Sequence, residues 1–196
     1  MTEPILLDPT PAPYFEKNDF FKKEYDLLPS SLIKIKYTGA ADLTNFYKYV
    51  KYWLEDNGLI KDENVLETRY TERTNPDGSK TTEFRWEGRK LNDKFFLYKV
   101  DIFFFIMNAK DVEVQWGDVK RNLTKAIFEI RMGGSLELDP PDPVTKKCKL
   151  DDYNFIKRWY YRNVMRKALN YHKAYWFNKL YELQEAMKKF LKENSF

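Results

Sequence analysis

The sequence has few of the side chains that most often bind metals or attack substrates, with one histidine, His172, and one cysteine, Cys148. A single cysteine excludes an internal disulfide bond and favours a reducing compartment, so we expect a cytoplasmic protein. A single histidine disfavours histidine-rich metal sites and Ser–His or Cys–His catalytic pairs. Since P-loop, dinucleotide-binding and nucleophile-elbow motifs are also absent, we expect no metal, no cofactor and, on balance, no enzymatic activity.

Long apolar runs are absent as well. The longest, at residues 102–107, is far shorter than the roughly 20 residues that a membrane-spanning helix requires. The first ten residues contain two carboxylates and two prolines, which is unlike a signal peptide. We therefore expect no transmembrane segment.

The N-terminal 30 residues differ in composition from the rest of the chain. They contain five prolines and interleave acidic with aromatic side chains, which is typical of an extended arm. The aromatic side chains favour an arm that drapes over the domain; the alternative is a linear motif for a partner. These aromatic residues are Phe15, Phe20, Phe21 and Tyr25. Residues 31–196 are predicted to form a single α+β domain.

The first half of this domain shows clear element signals. Residues 32–37 alternate and predict a strand. Asp42 is suited to cap a helix whose apolar residues recur every three or four positions, and Gly58 is suited to end it. Residues 64–73 and 79–87 predict a hairpin across an Asn-Pro-Asp-Gly turn.

Residues 94–107 predict a long strand with two different faces. Its even-numbered residues are all apolar, whereas its odd-numbered face is polar in the middle, at Lys99 and Asp101. One face should be core, and the other is expected to be partly covered by the arm, a helix or a second copy. Further strands are predicted at residues 112–116 and 126–132, with a bulge or bend at the glycine pair that follows. The expected fold is a curved antiparallel sheet of about six to seven strands, with one early helix and long C-terminal helix or helices packed on it.

Residues 151–193 contain neither proline nor glycine and follow a helical pattern. A tyrosine-rich stripe, which includes Tyr171 and Tyr175, occupies one face of the first half. A second stripe, which includes Trp176 and Leu180, lies on another face of the second half. These stripes lie roughly 120° apart on a straight helix, so we expect a break near residues 170–178 or packing against two surfaces. His172 falls on the side of the second stripe and is predicted to be a packing residue.

The formal net charge is only +4, but residues 151–196 carry ten basic and five acidic residues. Between Lys157 and Lys179 there are seven cations and no carboxylate. The leading hypothesis is therefore a non-enzymatic binding or adaptor domain for an anionic partner, namely RNA, a ribonucleoprotein or a phospholipid surface. The alternative interpretation of the basic face is a solvated helix surface. The candidate contacts are Arg158, Arg162, Arg166, Lys173, Trp159 and Phe155.

Two other functions fit the same pattern. The sheet and the tyrosine stripe could enclose a cavity, so that the protein carries an apolar small molecule or lipid. Alternatively, the mixed face of strand 94–107 or the apolar stripe at residues 176–190 could join copies of the chain in a homo-oligomer, as an assembly subunit. The candidate cavity wall consists of Phe96, Tyr98, Ile102, Phe104, Tyr160, Tyr171 and Tyr175.

Several stretches of the sequence resemble a family of archaeal proteins without an assigned function. They are LIKIKY at 32–37, YWLEDNG at 52–58, FRWEGRK at 84–90 with Asn92 and Asp93, and SLELD at 135–139. The likeness covers about residues 31–193, and it implies no activity and no site residues. The element order also resembles the helix-grip layout, in which a curved sheet wraps a long helix, although a second early helix is absent. A shared order of elements does not imply a shared function.

Overall fold

A computed structural model of the chain describes residues 24–60, 66–92, 95–116, 119–140, 159–160 and 164–193. These residues form one five-stranded antiparallel sheet in the order β1-β5-β4-β3-β2 and two helices. The predicted fold class, an antiparallel sheet with an early and a C-terminal helix, is confirmed. The elements are β1 (Glu24–Ala41), α1 (Leu43–Asp56), β2 (Glu67–Thr74), β3 (Lys80–Asn92), β4 (Phe96–Trp116), β5 (Val119–Leu138) and α2 (Arg166–Glu193).

The strands are longer than the sequence pattern indicated. β4 joins the predicted strands 94–107 and 112–116, and a register shift between Met107 and Lys110 marks a bulge where they meet. Asn108 takes the extra position with a φ of 54°. β5 passes through its glycine pair, Gly133 and Gly134, without a register shift against β4. On the other side of β5, the pairing with β1 shifts register between Leu28 and Ile33.

β1 begins before the predicted boundary between arm and domain. Residues 24–30 are part of this strand, and Glu24 and Tyr25 pair with β5. Tyr25 is buried in the core, so the end of the predicted arm is integral to the sheet. Residues 1–23, with Phe15, Phe20 and Phe21, lie outside the described part of the chain.

The predicted helix start and hairpin are confirmed. The backbone N–H of Asn45 donates to Asp42 Oδ1 at 2.9 Å, which satisfies one of the free donors at the start of α1. Gly58 follows the helix with a φ of 69°, a left-handed conformation that favours glycine. β2 and β3 pair around the predicted turn, where Asp77 accepts hydrogen bonds from Ser79.

Both helices pack on the same side of the sheet. The even-numbered residues of β4 from Phe96 to Ile106 are all buried there, as predicted. From α2, the Trp176 ring stacks on Tyr98 with centroids 5.0 Å apart, and its Nε1 donates to the Lys99 carbonyl oxygen at 3.2 Å. His172 is the packing residue that the sequence predicted, because its Nδ1 and the Tyr98 hydroxyl are hydrogen-bonded at 2.6 Å.

The predicted break near residues 170–178 is wrong, because α2 is one continuous helix from Arg166 to Glu193. Its tyrosines do not form the buried stripe: Tyr171 is 65% exposed. Other side chains, which recur every three or four residues, face the sheet instead, so a single uninterrupted helix presents all of them to it. The buried residues are Met165, Leu169, His172, Lys173, Trp176, Leu180, Leu183, Met187 and Leu191. In the described part of the chain, no helix is both long and apolar enough to span a membrane.

Candidate anion-binding surface on the helix-free sheet face

The described residues include only part of the predicted basic helix face. Arg158, Arg162 and Phe155 lie outside the described residues. Trp159 is 57% exposed, and Arg166 is exposed at the first residue of α2.

The prediction that Lys173 is an exposed contact is wrong. Lys173 is only 3% exposed, and its Nζ lies 3.6 Å from the centre of the Tyr25 ring. The aromatic face of Tyr25, on β1, attracts the ammonium group through a cation–π contact. Position 173 lies on the side of α2 that faces the sheet. Lys173 therefore holds β1 against α2 and is shielded from a partner in solution.

The residues of the predicted cavity wall are brought together only in part. Its β4 members are buried against other aromatic rings; the Phe104 ring, for example, stacks on Phe84 at 4.4 Å and meets Phe46 edge-on at 6.2 Å. Tyr160 is half-buried and Tyr171 is exposed, whereas the partly exposed Tyr175 keeps its ring 5.9 Å from that of Tyr98. The β4 residues in question are Phe96, Tyr98, Ile102 and Phe104. These aromatic contacts pack the sheet–helix interface as a core.

The opposite face of the sheet, which we call the helix-free face, is covered by neither of the two described helices. It is formed by the odd-numbered residues of β4 together with their cross-strand neighbours on the other strands. These β4 residues are partly buried and mix charged with aromatic side chains. Alternation along an antiparallel strand directs every second side chain to this face.

A line of cations with a phenylalanine at its centre crosses the helix-free face. Register pairs join Lys34 to Arg131, Arg131 to Phe103, Phe103 to Arg85, and Arg85 to Arg69. One residue of each strand therefore contributes to a single transverse line, which we call the cation row. Four strand spacings of about 4.8 Å give the row a length of roughly 19 Å.

Neighbouring carboxylates hold the cations of the row in place. Arg85 donates from Nε and Nη2 to the two Asp101 oxygens at 2.7 and 2.6 Å. Arg131 donates from Nε and Nη2 to Glu129 Oε1 at 2.8 and 2.6 Å. Lys34 Nζ lies 2.7 Å from the same oxygen of Glu129. These paired geometries orient the cations and limit their loss of side-chain entropy when a ligand binds.

The carboxylates do not neutralise the row. The residues joined through these ion pairs, with Arg69, comprise six cations and three carboxylates, a difference of +3. Arg69 forms no ion pair with the described residues, and the Arg85 and Arg131 side chains are 45% and 50% exposed. The cations are Lys34, Lys36, Arg69, Arg85, Arg89 and Arg131, and the carboxylates are Glu87, Asp101 and Glu129.

The ion pairs keep these groups charged. The hydrogen bond from Lys34 lowers the pKa of Glu129, although burial opposes this shift. The hydrogen bond to Asp101 raises the pKa of Arg85. At the β4 N-terminal end of the face, the hydrogen bond from Lys99 lowers the pKa of Glu24. Groups that stay charged at neutral pH are suited to electrostatic binding, whereas a general acid would require a raised carboxyl pKa.

The electrostatic character of the helix-free face changes along β4. Lys99 is bound by Glu24 and Glu137 at 2.9 and 2.8 Å, and Asp26 lies on the same part of β1. This end of the face carries three carboxylates beside two cations, Lys99 and Arg89, which pair across β4 and β3. The row itself holds Lys34, Arg131, Arg85 and Arg69, whereas beyond it Glu83 and Glu129 lie opposite Phe105 on the neighbouring strands.

Two surface pockets flank a pair of phenylalanines beside the row. The rings of Phe103 and Phe105 are nearly parallel, with centroids 6.5 Å apart and an interplanar angle of 19°. The pocket on the Phe103 side has a volume of about 570 Å³ and contains Arg69, Arg85 and Arg131. The pocket on the Phe105 side has a volume of about 730 Å³; its lining includes Met107, Ile127, Lys110 and Lys125. Cations therefore lie on both sides of two half-buried aromatic rings.

The sequence contained only part of the signal for this surface. The polar middle of the odd-numbered β4 face was visible, but the row depends on the register of five strands, which a sequence pattern does not determine. Within the described ranges, no group of three or more histidine, cysteine, aspartate or glutamate residues is placed to hold a metal ion.

Comparison of the chain with models of known families, with curated proteins and with solved structures finds no match. The resemblance to archaeal proteins and to the helix-grip layout therefore stays a prediction.

Proposed function

We propose that this chain is a non-enzymatic binding domain that engages a polyanionic partner through the cation row. The observation that carries the proposal is the register that aligns Lys34, Arg131, Arg85 and Arg69 across all five strands. The proposal keeps the class of partner that the sequence predicted and moves the contact surface from the C-terminal helix to the sheet.

The chemistry of the row supports a ligand with several negative groups. A guanidinium has five N–H donors in a planar fork, and Arg85 uses its Nε and Nη2 on Asp101. The donors that remain can meet phosphate or carboxylate oxygens without displacing this partner. Because the cations are spread over roughly 19 Å, a polyanion gains more from the row than a single small anion does.

The proposal predicts binding that is sensitive to salt. If four phosphates are bound, the log–log dependence of affinity on salt should have a slope of roughly −3 to −4. The probes are a labelled oligonucleotide, single-stranded and duplex, followed by fluorescence anisotropy, and phosphatidylserine-containing vesicles, followed by sedimentation. We expect at least one of these polyanions to bind at low salt and to dissociate at moderate salt.

Arg69→Glu is the sharpest test of the site, because Arg69 has no ion pair among the described residues and its replacement leaves no carboxylate unpaired. It should weaken binding and make the salt slope less steep by about one for each phosphate that Arg69 neutralises. Lys48→Glu is the matched control, since Lys48 is exposed on α1, on the other side of the sheet. The proposal fails if no polyanion binds at low salt, or if both variants reduce affinity equally.

A further inference from the structure

The aromatic pair beside the cation row indicates which polyanion fits this surface. We infer that the ligand is a single-stranded nucleic acid whose bases stack on Phe103 and Phe105; this inference rests on the proposed function. Sites for unpaired strands combine a positively charged track for the backbone with exposed aromatic faces for the bases. The helix-free face has both features within one stretch of β4.

The arrangement along β4 matches a strand with alternating phosphates and planar bases. The pocket beside Phe103 supplies arginines, and the pocket beside Phe105 supplies Lys110 and Lys125. Phe103 and Phe105 lie between these pockets and present nearly parallel rings. An extended strand can therefore place phosphates in both pockets and bases on the rings between them.

The charge pattern sets the position of the strand on the face. The acidic end around Lys99 repels phosphates, because Glu24 and Glu137 occupy its ammonium group. The strand therefore crosses the cation row beside Phe103, between Arg85 and Arg131, and extends along β4 toward Lys110 and Lys125. Lys110 is held at 3.0 Å by Asp77 of the hairpin turn, whereas Lys125 forms no ion pair with the described residues.

The partial burial of the Phe103 and Phe105 rings favours an unpaired nucleic-acid strand over a duplex or a phospholipid surface. Phe103 and Phe105 are half-buried between charged neighbours, so they cannot insert into a bilayer as protruding interfacial side chains do. In a duplex the bases are stacked inside the helix and present only their edges in the grooves. An unpaired base offers its flat face, which a recessed ring can contact.

The test uses fluorescence anisotropy of a short labelled oligothymidylate with the full chain. Phe103→Leu and Phe105→Leu retain apolar volume but remove the aromatic face, and each should weaken binding by about 5- to 150-fold. Phe103→Tyr restores a ring and should bind as the unaltered chain does. Tyr49→Leu is the matched control on α1, where an exposed tyrosine lies away from the row.

The possible outcomes are distinct. Weaker binding by the leucine variants, with affinity retained by Phe103→Tyr and Tyr49→Leu, supports the inference. Leucine variants that bind normally while Arg69→Glu does not would overturn it and leave the proposed function intact. Preference for the duplex or for phosphatidylserine vesicles would also overturn it. If no polyanion binds, the proposed function itself fails.

Discussion

The close packing of α2 on the sheet at Gly134 offers a quantitative test of the position of this helix. At Gly134 of β5, a methyl group in place of the hydrogen would lie 2.3 Å from Leu180 Cδ1 and 2.9 Å from Cδ2. Carbon atoms pack at about 3.5–4.0 Å, so Gly134→Ala requires a displacement of more than about 1 Å. Overpacking of this kind costs about 1–3 kcal/mol, and the better strand propensity of alanine offsets about 0.5–1 kcal/mol of it.

Leu180→Ala removes the other partner in this contact. Leu180 is fully buried, so the truncation should reduce the free energy of unfolding by about 2–5 kcal/mol. In the double variant, the new methyl group at position 134 occupies space that the leucine has vacated. The combined loss of stability should therefore be smaller than the sum of the two single losses by about 1–2 kcal/mol.

Urea denaturation followed by tryptophan fluorescence and far-UV circular dichroism measures all three variants. Lys188→Ala, at an exposed position of the same helix, is the control and should change stability by less than about 0.5 kcal/mol. A Gly134→Ala variant as stable as the unaltered chain, with additive effects in the double variant, would refute this placement of α2 over β5.

Two further predictions concern the carboxylates. Glu129→Gln should raise polyanion affinity, because Lys34 and Arg131 lose their shared counter-charge, while it lowers the free energy of unfolding at neutral pH. The pKa of Glu129 is below its ordinary 4.5, so its stabilising effect is present above pH 4.5 and is lost as pH falls through the lowered folded-state value. The free energies of unfolding of the two proteins should therefore converge at low pH. A difference between them that stays constant as pH falls would contradict this. Asp42→Ala removes the acceptor of the Asn45 N–H and should cost about 1 kcal/mol in thermal or urea unfolding, whereas an unchanged midpoint would show that the cap contributes nothing.

Local signals in the sequence predicted the early elements because their causes are local. Asp42 caps α1 through a side chain three residues away from its donor, and Gly58 ends the helix through its own backbone preference. The alternation in β4 likewise identified its buried face. In each case the physical reason lies within a few residues of the signal.

The C-terminal helix shows where local signals were insufficient. Tyrosine tolerates both burial and exposure, so the tyrosine stripe did not identify the packed face of α2. Lys173 looked solvated by charge alone, yet the aromatic face of Tyr25, almost 150 residues earlier in the chain, permits its burial. The cation row was not predictable for a similar reason, because Lys34 and Arg131 become neighbours only through the β1–β5 register.

The strand order has a consequence for protein synthesis. β1 is made first, but its partner in the sheet is β5, so Lys34 and Arg131 join only after nearly a hundred intervening residues have left the ribosome. Closing so large a loop is entropically costly and tends to be slow. A nascent chain that ends within β4 therefore has the β2–β3 hairpin but no completed cation row. The cation row is therefore completed late, when translation has passed β5.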